Sequence, residues 1–361
     1  MKKVELKELL KGCKLIKDSN GEIIVQTIAN MQLVCLTAAN EFSINTFANP
    51  MTVLGSNRSY GHLQLHNRTA KDMIVPPQIA VMTKKAAQNH GMVKGAFVKA
   101  NSTKDFNDAG CVQGSQTGYL DTSDNDIRFI PFGAREYIFE KVGVTGSHTN
   151  IYDAIEKVGN DTHANSGKYL DQYFSKYDKK LNEFIAHFER PEKCIGTIVL
   201  IDGEIVAIDK FPSFEYCEQI WDALIRDCYG SIAITQEVKG KTGSKSFTSM
   251  KNRLKKGADE SPAAFLKRAL SKTKESIVNN VKEKLSDMLE MELNATVDKD
   301  STGNGYESDI IKTEGYIGQV ISQSSYRHLV SIVKKDSFKP EKFREAIKLK
   351  KLAKDQDEFS L

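Results

Sequence analysis

Residues 194–211 read CIGTIVLIDGEIVAIDKF, two β-rich apolar runs that flank Asp202-Gly203. Asp-Gly is a preferred residue pair for a two-residue type I′ turn. The first run, from Thr197 to Ile201, is apolar at almost every position, so we expect both of its faces to be covered. This stretch predicts a β-hairpin that lies centrally in a sheet.

Amphipathic helices are predicted on both sides of the hairpin. Between Lys168 and Arg190, apolar and aromatic residues recur at steps of three and four, the period of a helix with one buried face. This helix should end at Arg190, because Pro191 disfavours helical backbone in the residue before it. Ser213 is placed to cap a second helix that begins with Phe214.

The N-terminal third contains short β-rich runs, GEIIVQTI, MQLVCL, GHLQLHN and DMIVP, with later candidates at Ile127 to Ile130 and Tyr137 to Phe139. A helix is predicted from Pro76-Pro77 to Gln88–Gly91, and IGQVISQSSYRHLVSIV alternates like one or two closing strands. No GxGxxG motif or P-loop is present. We therefore expect an α+β fold, with a mixed or mainly antiparallel sheet packed by amphipathic helices.

The charge distribution indicates where this core is interrupted. Residues 239–284 hold 13 Lys and Arg against 4 Asp and Glu, although the net charge of the chain is only +4. From Ser261-Pro262 to about Leu293, apolar residues keep helical spacing. We expect residues 1–238 and 301–333 to form one core, 239–300 to be an inserted basic loop and long amphipathic helix, and 334–361 to be a basic helical tail.

Composition bounds the class of protein. The six cysteines are widely spaced, without a CxxC motif or a histidine partner at metal-ligand spacing. No stretch approaches the roughly 20 consecutive apolar residues of a membrane span, and the N-terminus does not resemble a secretory signal. We expect a cytoplasmic protein with free thiols and no bound metal, cofactor or membrane.

A candidate ligand site lies in the stretch GHLQLHNRT. His62, Gln64 and His66 would share one face of a strand, as the polar wall of a pocket or as a solvent-facing surface. Asn67 and Arg68 follow where the strand should end. The arginine could hold a phosphate or carboxylate bidentately, but surface turns use the same residue types.

Two further segments carry groups suited to acid-base chemistry or to anions. His90 titrates near neutrality and follows Gln88 closely, but histidine and glycine are also typical of a helix C-terminus. Arg128 and Arg135 flank Pro131. These arginines would either bind an anionic ligand or form ion pairs with the acidic part of the chain.

The basic segment offers a different kind of site. Lys251, Arg253, Lys255 and Lys256 would contact a phosphate backbone, but only Phe247 is near enough in sequence to stack on a base. A mobile, solvated loop is the alternative interpretation.

With these residues placed, the chain resembles the bacterial and phage domain family named for its association with ADP-ribosylglycohydrolases and rhodanese-phosphatases. The similar pieces are LQLHNRTAKDMIVP, GTIVLIDGEIVAIDKF with the WDAL helix after it, and YIGQVISQSSYRHLVSI. They span about residues 20–333, with 239–300 as an insertion. The resemblance implies a role near NAD-derived or ADP-ribose chemistry.

The resemblance also implies which positions match the family's motifs: Asn67, Arg68, Gly203, Gly318 and His328. The chain departs from the family where a Glu–Arg–Trp motif is expected, because it has Gln88, His90 and Met92 there. If the activity depends on that acid and arginine, the departure implies binding without catalysis.

Two classes of function follow. In the first, the protein binds or processes an ADP-ribose or NAD-derived nucleotide, with Arg68 and Arg135 on phosphates and His66, His90 or His328 in acid-base roles. In the second, a nucleic-acid or host-protein interaction module, such as a phage accessory or inhibitor protein, acts through the basic insertion.

Overall fold

The computed structural model describes residues 2–28, 31–38, 47–85, 87–115, 117–143, 149, 151–239, 262–298 and 305–335. The strands in chain order are β1 (Lys2–Glu5), β2 (Cys13–Leu15), β3 (Val25–Ile28), β4 (Met31–Ala38), β5 (Leu54–Ser56), β6 (Leu63–Asn67), β7 (Met73–Val75), β8 (Ile79–Met82), β9 (His90–Gly91), β10 (Ala96–Val98), β11 (Ser102–Phe106), β12 (Gly110–Cys111), β13 (Asp126–Phe129), β14 (Cys194–Ile201), β15 (Glu204–Lys210), β16 (Glu292–Val297), β17 (Tyr306–Lys312), β18 (Tyr316–Gln323) and β19 (Tyr326–Lys334). The α-helices are α1 (Leu6–Leu9), α2 (Arg135–Glu140), α3 (Tyr152–Asp161), α4 (Leu170–Ile185), α5 (Phe214–Ala223), α6 (Gly230–Val238) and α7 (Pro262–Leu289). A π-helical segment, Leu224–Tyr229, joins α5 to α6, and Pro50–Thr52 and Phe132–Ala134 form 3₁₀ turns.

A ten-stranded antiparallel sheet organises the described part of the chain. Its order is β1-β16-β17-β18-β19-β15-β14-β4-β2, and β3 also pairs with β4. The β14–β15 hairpin lies inside this order, as predicted from its apolar run. Its turn residues Asp202 and Gly203 have φ angles of 53° and 81°, the left-handed backbone that a type I′ turn requires.

Both faces of this hairpin are covered. Val199 and Ala207 belong to a core cluster that includes α5 and the small N-terminal sheets. Ile198 and Ile208, which point to the other face, belong to a second cluster that includes α1 and the C-terminal half of α7. Because successive side chains of a strand point to opposite faces, this one hairpin contributes side chains to two cores.

Part of the predicted insertion takes part in this sheet. Strand β16 pairs with β1 on one side and β17 on the other, and Val281 and Leu285 of α7 are buried in the same cluster as Ile208. The predicted basic loop and C-terminal tail fall mainly on residues 240–261 and 336–361, outside the described residues. The domain division stays a prediction.

Three smaller antiparallel sheets surround the main one: β5-β6-β11, β7-β10, and β12-β9-β8-β13. Helices α2, α3 and α4 pack together with β8 around a third cluster. The expected α+β fold with a mainly antiparallel sheet is confirmed. Among the described residues, no helix combines the length and apolar character needed to span a bilayer.

Two predicted elements are wrong. The segment from Pro76-Pro77 to Gly91 is not a helix, because Gln78 has a left-handed φ of 59° and the next four residues form the buried strand β8 between β9 and β13. Residues Tyr137 to Phe139 lie in helix α2 and not in a strand. In both segments tertiary packing overrides the local preference.

Two helix predictions are confirmed. Helix α4 lies within the predicted range and buries the expected stripe, which includes Tyr173, Tyr177 and Leu181. Helix α5 begins after Ser213, whose hydroxyl oxygen accepts a hydrogen bond from the Tyr216 amide at 3.1 Å.

Candidate functional site

The predicted residues His66, Asn67 and Arg68 stay together at the end of β6. They line an open groove of about 210 Å³ with Asn101, Ser102 and Thr103. Both ring nitrogens of His66 are in hydrogen-bonding contact, with Ser56 Oγ at 2.7 Å and Thr103 Oγ1 at 2.8 Å. Burial, followed by the charge of Arg68, lowers the pKa of His66.

Asn67 and Arg68 differ in whether their side chains are available to a ligand. Asn67 is buried and donates its amide hydrogens to the carbonyls of Lys71, Val98 and Lys99, so it holds backbone together. Arg68 donates to Thr122 Oγ1 at 2.9 Å on the surface. The groove therefore presents a single lining cation to a ligand.

Gln88 and His90 lie in a separate, buried network. His90 Nδ1 contacts the Gln88 carbonyl at 2.7 Å, and its Nε2 accepts from the Gly61 amide at 3.3 Å. These two contacts fix a neutral ring with the proton on Nδ1. His90 is fully enclosed, which leaves it without direct access to a dissolved ligand.

Arg135 is buried and engaged by an acid. Its guanidinium donates to both carboxylate oxygens of Asp209 at 2.7 Å, to Ser331 Oγ at 2.6 Å and to Gln78 Oε1 at 2.9 Å. Burial lowers the pKa of Arg135, but the nearby charge of Asp209 and its hydrogen bonds to the guanidinium together outweigh burial, so the pKa of Arg135 is raised. The adjoining cavity of about 10 Å³ has room for one water molecule, so Arg135 is closed to a phosphate.

A larger cavity lies where the ends of β4, β14 and β15 meet α1 and the β18–β19 turn. We call it the Lys210 pocket; its volume is about 290 Å³ and its lining residues are Glu8, Lys11, Gly12, Cys13, Ala38, Ile195, Lys210, Ser325, Tyr326 and Arg327. Three of these residues are cations and one is an acid. The acid, Glu8, lies 4.0 Å from Lys11 in a surface ion pair.

Lys210 ends strand β15 and is only 3% exposed. Its Nζ donates to the carbonyl of Arg327 and lies 4.7 Å from the centroid of the Tyr326 ring. Burial lowers the pKa of Lys210 to about 8; Cys13 raises this pKa and Arg327 lowers it further. Within the described residues, no carboxylate is among the groups that shift the pKa of this amine.

The predicted residue His328 lies directly behind this pocket. Its ring centroid is 4.7 Å from that of Tyr326 and 5.2 Å from that of Phe47. Burial, followed by the charge of Lys210, lowers the pKa of His328 to about 4. At neutral pH the histidine is uncharged, so Lys210 and Arg327 dominate the local potential.

Sequence reasoning missed Lys210, Lys11, Tyr326 and Arg327. One signal was available for Lys210, because a lysine closes the second apolar run of a hairpin that is predicted to lie centrally in a sheet. The others carry no local pattern. The nucleic-acid candidates Lys251, Arg253, Lys255 and Lys256 lie outside the described residues.

Comparison with known proteins gives one match. The family model described as the ARG and Rhodanese-Phosphatase-superfamily-associated Protein domain matches residues 25–302. The match includes the groove and Lys210, and it ends before strands β17–β19. No curated protein and no solved structure matches the chain.

Proposed function

The chain belongs to the family of ARG and Rhodanese-Phosphatase-superfamily-associated Protein domains, and we propose that it binds an ADP-ribose-like nucleotide in the Lys210 pocket. The family association suggests a link to ADP-ribose. The positive charge of the residues that line the pocket supports this proposal, because cations suit a ligand that carries phosphates.

The observation that carries the proposal is the grouping of Lys11, Lys210 and Arg327 around one cavity. A diphosphate needs several cations or charge-assisted donors, and Arg and Lys are the side chains that supply them. Tyr326, which is 41% exposed, adds an aromatic surface at the same cavity for a base or sugar.

Charge also separates this pocket from the other two open cavities. The cavity of about 370 Å³ beside Lys94 is lined by Asp105 and Asp108, which repel an anion. The groove beside His66 offers Arg68 as its lining cation. Only the Lys210 pocket, among the open cavities described, has a positive lining of more than one charge.

The test is isothermal calorimetry with ADP-ribose and with adenosine, which has no phosphate. Arg327→Gln and Lys11→Gln should each weaken ADP-ribose binding about tenfold, roughly 1.4 kcal/mol. The affinity for adenosine should change little in either variant. Lys312→Gln removes the same charge from an exposed position on β17 and should leave both affinities unchanged. The proposal fails if ADP-ribose does not bind, or if the Arg327 and Lys11 variants bind it as tightly as the control.

A further inference from the structure

We propose that Lys210 captures ligands covalently, through an imine between its Nζ and an aldehyde group held in the Lys210 pocket. The open-chain form of the terminal ribose of ADP-ribose is an aldehyde of this kind. The identity of that ligand rests on the proposed function, whereas the reactivity of Lys210 toward aldehydes does not.

Two lysines, Lys11 and Lys210, line the cavity, and Lys210 is the buried one of the two. The stem of Lys210 is buried, and its Nζ is positioned by two neutral partners, the Arg327 carbonyl and the Tyr326 ring. An amine held by neutral groups gives up its proton more readily than one held by carboxylates.

Lys94 is an internal comparison. It is equally buried and also lines a cavity, but its Nζ lies 3.1 Å from Asp108 and 3.0 Å from Asp298. Burial opposes its charge, the two carboxylates outweigh burial, and the pKa of Lys94 is raised. The pKa of Lys94 is raised and that of Lys210 is lowered, so these two buried lysines differ in how readily each amine loses its proton and becomes a nucleophile.

Protonation sets the size of this difference. With a pKa of about 8, roughly half of the Lys210 amines are unprotonated at pH 8. An exposed lysine with a pKa of about 10.4 has under about 1% of its amine unprotonated at the same pH. Lys210 should react roughly a hundredfold faster per encounter if protonation alone decides the rate.

The chemistry balances without a redox partner. The Nζ lone pair forms a bond to the aldehyde carbon, the carbonyl electron pair moves to oxygen, and a proton moves from nitrogen to that oxygen to give a carbinolamine. The carbon–oxygen bond then breaks, the hydroxyl group leaves as water with the remaining proton of the nitrogen, and the nitrogen electron pair forms the C=N bond. NAD has no free aldehyde, because both of its anomeric carbons are held in glycosidic bonds, and it should not react.

The test uses the full chain at pH 8 with ADP-ribose and cyanoborohydride, which reduces the imine to a stable amine, followed by peptide mass spectrometry. Label should accumulate at Lys210 in large excess over Lys94 and over the exposed Lys179, and should rise with pH between 7 and 9. Lys210→Arg keeps the charge and should lose the label, and NAD should give none. Equal labelling of Lys179 and Lys210 in the unaltered protein would overturn the inference, whether or not the variant folds.

Glyceraldehyde, a small aldehyde without a nucleotide, separates this inference from the proposed function. Selective labelling of Lys210 by glyceraldehyde in a protein that does not bind ADP-ribose would support the imine and refute the nucleotide. Calorimetric binding of ADP-ribose with no label at Lys210 from either aldehyde would refute the imine and support the nucleotide.

Discussion

Asp209→Asn should destabilise the fold by about 3–5 kcal/mol, the usual effect of removing one partner from a buried ion pair. Asp209 is 2% exposed, and its carboxylate accepts a hydrogen bond from each terminal nitrogen of Arg135 at 2.7 Å. The hydroxyls of Ser331 and Tyr229 donate to the same carboxylate. Asparagine has nearly the same shape but carries no charge. The buried guanidinium would be left without its counter-ion, which is the source of the expected loss.

Urea unfolding followed by circular dichroism measures this change. Glu292→Gln is the matched control, because it also neutralises a carboxylate bonded to a cation at 2.8 Å, but the Lys3–Glu292 pair is more than half exposed. The control should leave the free energy of unfolding nearly unchanged. A loss in Asp209→Asn no larger than in the control would refute the reasoning.

A double replacement checks the cause. Arg135→Met together with Asp209→Leu removes both charges and should recover much of the stability lost by Asp209→Asn, because no unpaired charge remains. Failure to recover would indicate that the hydrogen bonds to Gln78 and Ser331 hold this core, and not the ion pair.

Three further outcomes are expected. Between about pH 6.5 and 4 the free energy of unfolding should fall as pH falls, because the pKa of His328 is about 4 in the folded protein and about 6.5 in the unfolded chain; urea titrations at both pH values should show a smaller fall in His328→Leu, and an equal fall would contradict this cause. Gly318→Ala should destabilise by about 1–3 kcal/mol, because its Cβ would lie 2.2 Å from the Ser331 carbonyl oxygen; in thermal melts the control Gly315→Ala, where nothing lies within 4 Å, should match the unaltered protein. A fragment of residues 1–238 lacks β16–β19 and should not melt cooperatively in calorimetry, whereas a cooperative melt would show that these strands do not complete the same core.

Local physical chemistry explains which elements could be predicted. Asp202-Gly203 specifies its own turn, the stripe of α4 repeats at the helical period, and Ser213 caps the helix that follows it. Each of these signals lies within a few residues of the backbone that it directs. The segment 76–91 does not form the predicted helix, because β8 is a strand only through its pairing with β9 and β13.

The same distinction applies to the candidate site. His66, Asn67 and Arg68 remain neighbours because they are consecutive in the chain, and the sequence alone determined that much. Lys11, Lys210 and Arg327 are separated by more than a hundred residues at each step, and only the order of strands in the main sheet brings them around one cavity. The pKa of Lys210 was likewise decided by tertiary structure. Burial and the absence of a neighbouring carboxylate among the described residues set this pKa, and neither can be read from the residues next to Lys210 in the sequence.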